Sequence, residues 1–146
     1  MVDRFTSAPI ELPSPERSFQ RADLLFYGLD HSGPSYEGQV FFDARGVGAE
    51  ADSTHRAYVG SFFMFGHGGC FGDQGHCDIP TERDPFDLRP PHQLEPAVRI
   101  LTVTDAVRAL LERGIDGAKV TVNARSADPR SPDVLAFDTV RLATYA

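Results

Sequence analysis

Six short apolar runs, set apart by clusters of turn-forming residues, constrain this chain more than any other feature. They fall at 22–28, 37–43, 57–65, 98–103, 118–124 and 137–145. Each is the length of a strand and rich in the β-branched and aromatic residues that suit a pleated, half-buried surface. The first ends at Leu29-Asp30-His31-Ser32-Gly33-Pro34, a dense set of turn formers. The run 57–65 is apolar on both faces for much of its length, which places it centrally in a sheet. One helix is expected over 105–113, with Thr104 as its N-cap and Asp105 at its positive end. Val107, Leu110 and Leu111 form its apolar face, and Gly114 is suited to end it. The fold class that follows is mainly β: an antiparallel β-sandwich or open barrel of about six to eight strands with one short α-helix (104–113).

A chain of 146 residues fits one domain. Pro9, Pro13 and Pro15 favour extended backbone, so 1–20 reads as an extended N-terminal arm. The single β-sandwich domain then spans 21–146 and carries a long His/Cys/Pro-rich loop at 66–97. Net charge is −7, and the one lysine is Lys119. A nucleic-acid binder presents a basic stripe to the phosphates, and none is present here, so that class is set aside. Anionic membrane surfaces are disfavoured for the same reason. No run approaches the roughly 18 apolar residues of a membrane span. The start, Met1-Val2-Asp3-Arg4, lacks the pattern of a signal peptide, so the expected location is cytoplasmic.

The richest chemistry lies in Gly66-His67-Gly68-Gly69-Cys70-Phe71-Gly72-Asp73-Gln74-Gly75-His76-Cys77-Asp78. Its glycines let the backbone fold tightly around a small object. Imidazole and thiolate together suit copper or zinc. The candidate metal ligands are His67, Cys70, His76 and Cys77, joined from elsewhere by His31 and His92. His31, His67 and His76 around an open position would make a mononuclear copper or zinc centre. Asp73 and Asp78 are the candidate catalytic acid/base groups, or they orient imidazoles. The spacing matches no standard zinc finger, and adjacent His76 and Cys77 reach one ion only through a turn.

Two other readings stay open. A Cys70–Cys77 disulfide would close a short loop and stabilise the fold by roughly 2–3 kcal/mol. Alternatively, the loop packs on Phe86 or its neighbours with its thiols buried as small hydrophobes. Phe71, at the loop tip, either inserts into a partner's pocket or folds back on its own core. His55 reads as a surface residue.

Three segments carry a family resemblance: Tyr58-Val59-Gly60-Ser61-Phe62, the run from Ile100-Leu101-Thr102-Val103-Thr104 to Leu110-Leu111, and Ala118-Lys119-Val120-Thr121-Val122. They resemble the C-terminal β-sandwich domain of the tyrosinase/haemocyanin (type-3 copper protein) family, here standing alone without the helical dicopper domain. The resemblance covers 57–146, with support at 22–43. It implies a β-domain that packs on a helical domain and shields its copper site. It does not carry over tyrosinase activity, since this chain has no His-x-x-x-His pair. Copper, or else zinc, is the implied cofactor.

Three functions are therefore expected. The first is a small mononuclear copper oxidase or oxygenase acting on a small molecule, a metal-dependent oxidoreductase. The second is a non-catalytic accessory, shielding or copper-delivery module for a helical copper-enzyme partner chain. The third is a metal-free binding domain with the Cys70–Cys77 disulfide. No phosphate loop or dinucleotide fingerprint competes with these.

Overall fold

Each of the six runs forms a strand in the computed structural model, which describes residues 3–68, 72–128, 130 and 133–146. In chain order the elements are β1 (Asp3–Thr6), β2 (Ile10–Glu11), β3 (Arg21–Leu29), β4 (Tyr36–Asp43), β5 (Tyr58–Met64), β6 (Ala97–Thr102), α1 (Thr104–Glu112), β7 (Gly117–Ser126) and β8 (Thr139–Tyr145). The larger sheet runs β1-β7-β4-β5, with β2 also on β7, and the smaller runs β6-β3-β8. Every pairing is antiparallel. The fold is a mainly β, two-sheet sandwich with one short helix.

Period-2 alternation explains the core. Leu24 and Phe26 of β3 point inward from the smaller sheet and are fully buried. Val40, Val120 and Val122 meet them from the larger sheet. The Phe26 ring lies 5.0 Å from Phe62 and 5.8 Å, edge-on, from Phe137. Three aromatic rings thus pin the two sheets together at mid-thickness.

β5 is an edge strand of the larger sheet, not a central one. Phe62 and Met64 are buried, while Phe63 and Phe65 are 66% and 85% exposed. The apolar character of its second face therefore belongs to the protein surface. The stretch 1–20 supplies β1 and β2, and the Asp3 carboxylate accepts the Val134 and Leu135 N–H groups at 3.0 and 2.6 Å. Thr104 is the first helical residue rather than the cap. Its hydroxyl accepts the Ala22 N–H at 3.1 Å, tying α1 to β3. Gly114 ends the helix with φ +74°, a conformation glycine adopts freely.

This topology gathers the loops at one end. β3 finishes at Leu29 and β5 at Met64, and Leu29 pairs with Ala97 where the long loop returns into β6. The turn after β3 and the exit from β5 are joined by backbone bonds, His67 N–H to the His31 carbonyl at 3.1 Å and Gly68 N–H to the Gly33 carbonyl at 3.0 Å. The described residues between Gly72 and Pro96 contain no helix or strand.

Candidate functional site

Four histidines meet at this end of the sandwich, and the rings of three of them, His31, His67 and His92, are held by backbone groups. His31 donates from Nε2 to the Glu95 carbonyl at 2.8 Å, and His67 donates from Nδ1 to the His31 carbonyl at 3.2 Å. A carbonyl only accepts, so these bonds fix the protonated nitrogen in each ring. In the neutral rings, Nδ1 of His31 and Nε2 of His67 are then the nitrogens that carry a lone pair. Their ring centroids are 5.2 Å apart. His92 spends both nitrogens: Nε2 donates to the His76 carbonyl at 3.0 Å, and Nδ1 accepts the Leu94 N–H at 3.1 Å. It therefore has no lone pair to offer a metal.

His67, His76 and His92 share a cleft of about 480 Å³ with Cys77, Pro91, Gln93 and Leu94. Cys77 is disulfide-bonded, so its sulfur offers no thiolate as placed. Cys70 and Phe71 lie outside the described residues. Among the described residues no group of three or more His, Cys, Asp or Glu side chains is arranged to hold a metal ion. The loop's described residues thus bring the expected histidines together without making a three-donor centre.

The neighbouring carboxylates show turn chemistry. The Asp73 carbonyl accepts the His76 N–H at 3.0 Å, and the Asp78 N–H donates to the Gly75 carbonyl at 3.1 Å. Both side chains are exposed. Asp30 closes the turn that carries His31, where its carboxylate accepts the Ser32 N–H at 2.9 Å. That backbone bond, helped by the Ser32 hydroxyl, holds the Asp30 carboxyl below its ordinary range. His55 is exposed and stands apart, its Nδ1 accepting the Ala57 N–H and its ring edge-on to Phe41.

Two features escape a reading of the sequence. Phe86 is 89% exposed, so the loop does not pack on it as one expectation had it, and Leu88 is 97% exposed. The only signal was the alternation of apolar and charged residues in Asp84-Pro85-Phe86-Asp87-Leu88-Arg89, with no strand to belong to. A second cleft, about 620 Å³, opens between α1 and the start of β5. In it Asp43 pairs with Arg113 at 3.2 Å and Arg56 at 3.4 Å, and these charges come from segments far apart in sequence.

No protein-family model and no curated protein matches the chain. Among solved structures, a latent aurone synthase (polyphenol oxidase) from natural source aligns with 98% of it, at a TM-score of 0.56 and 15% identity. This chain spans 24% of that protein's length. At such identity the likeness is one of fold. Nearly all of this sandwich has a counterpart inside a much longer oxidase chain. No helix among the described residues is long and apolar enough to cross a membrane.

Proposed function

We propose that this chain is a non-catalytic accessory module for type-3 copper chemistry, one that docks on a larger copper-bearing body and shields its site. The observation that carries the reading is the fold match: 98% of this chain corresponds to about a quarter of a latent polyphenol oxidase. The chain's own contents agree. Type-3 copper chemistry in the family it resembles is run by histidines on helices, and α1 (Thr104–Glu112) carries no histidine. What the chain offers instead is a loop-bearing end crowded with histidines and exposed aromatics.

A resident three-ligand copper or zinc centre does not fit the described residues as placed. A second reading, copper passing through on its way to the partner, rests on the His31–His67 pair. Each of these rings gives one nitrogen to a carbonyl, as metal-binding imidazoles commonly do, and keeps the other. These two histidines would hold the ion, and bound copper would supply redox chemistry in the partner.

The isolated chain, given copper(II), oxygen and a diphenol, turns nothing over on this proposal. Intrinsic turnover, lost on changing His67→Ala, would instead establish the chain as a small copper oxidase.

A further inference from the structure

Between Pro85 and Pro90 the long loop holds two large apolar side chains almost wholly in solvent, Phe86 at 89% and Leu88 at 97% exposed. The turn that presents them is braced by charge. The Asp84 carboxylate accepts the Phe86 N–H at 2.8 Å. Arg89 grips the Asp87 carboxylate through two nitrogens, at 2.9 and 2.6 Å, and Arg83 donates to the Asp87 carbonyl at 3.2 Å. The Arg89 hydrogen bond holds the Asp87 carboxyl well below its usual range, so the clamp stays charged.

Single exposed apolar residues are ordinary on a protein surface. Two at the tip of one braced turn are a different matter, because the bracing limits the freedom lost when they are buried by a partner. Beside them is a cleft of about 290 Å³ whose lining includes four acidic residues, Glu82, Asp84, Asp87 and Glu95, against Arg83, Arg89 and His92. Arg89 is already committed to Asp87. The cleft therefore keeps an excess of negative charge beside the apolar tips. A phosphate backbone would be repelled there. A lysine or arginine would be drawn in.

We propose that the 83–89 turn is a docking finger for a protein partner whose surface combines an apolar socket for Phe86 and Leu88 with a Lys or Arg that enters the carboxylate-lined cleft. The inference rests on the accessory reading and adds the surface and the chemistry of what it meets. Phe86 and Leu88 are its anchors, and the cleft sets orientation and rate of encounter.

The test uses the tagged chain as bait in an extract of its own cells, with captured protein identified by peptide mass spectrometry. The Phe86→Ser/Leu88→Ser double variant should melt like the wild type, since neither side chain is in the core. It should hold the identified partner roughly 30-fold or more weakly, as loss of hot-spot anchors does. Glu82→Lys should weaken capture at low salt, with the difference fading as salt screens the cleft. A photo-crosslinking phenylalanine at position 88 should label a partner peptide holding apolar residues next to Lys or Arg. Undiminished capture by the double variant overturns the finger and leaves the accessory reading standing. Crosslinks confined to a second copy of this chain also overturn it. If the wild-type chain captures no partner, the accessory reading fails and the finger with it.

Discussion

Phe26→Ala is expected to cost about 3–5 kcal/mol, a large part of the roughly 5–15 kcal/mol of stability that a domain commonly has. Phe26 is fully buried on the middle strand of the smaller sheet, and it touches the rings of both Phe62 and Phe137. Removing the ring deletes the transfer energy of its carbons and leaves a cavity beside β3, whose backbone is fixed by pairing on both sides. The sandwich cannot collapse to fill it. Denaturant unfolding should show a lower midpoint at nearly unchanged slope, and Phe26→Leu should recover part of the loss. A cost below about 1 kcal/mol would mean that the sheets do not meet at Phe26 as described.

The second large effect is expected at Gly66, where fold and site are joined. A side chain there would drive its Cβ into the Gly33 carbonyl oxygen and the Pro34 backbone. Backbone cannot rotate aside as a side chain can, so the β5 exit must move away from the turn after β3. That movement breaks the Gly66 N–H bond to the Ser35 hydroxyl at 3.0 Å and parts His67 from the His31 carbonyl. Gly66→Ala should therefore destabilise the protein by about 1–3 kcal/mol, the range for overpacking. It should also shift the imidazole resonances of both histidines in proton–nitrogen spectra. Gly68→Ala is the control, because nothing lies within 4 Å of the position its Cβ would take, although φ there is +62°. Its cost should come from local strain alone, with the His31–His67 bond kept. If Gly66→Ala left both imidazole signals in place, the two loops would not be coupled through this contact.

The strands were legible because their physics is local. Leu24 and Phe26 alternate with polar or half-buried neighbours, and Val120 and Val122 do the same on β7. The helix was legible too, since Val107 and Leu110 share a face and Gly114 stops it. The place of β5 was not, because an apolar side chain facing solvent reads the same as one facing the core. Phe63 and Phe65 show this directly. β1 was hidden for another reason: its partner lies more than a hundred residues away, with Asp3 opposite Ala124. Nothing near Asp3 in the sequence announces that pairing.

The site divides along the same line. Glycine, histidine and cysteine density marked the loop, and the structure does gather His31, His67, His76 and His92 at its end of the sandwich. What the His31 ring does there depends on the register of β3 with β6, which brings the Glu95 carbonyl to it. Residue type alone suggested metal ligands. Register and turn geometry show that His92 has spent both nitrogens and that Cys77 is in a disulfide.

The most direct test of the accessory reading is native mass spectrometry of the protein isolated from its own cells, with copper counted in each species. The expected result is a body heavier than the 16.0 kDa of this chain, in which the sandwich is joined one-to-one to a larger copper-bearing part and copper stays with that part on separation. A free 16.0 kDa species that holds stoichiometric copper by itself and oxidises substrate would contradict it.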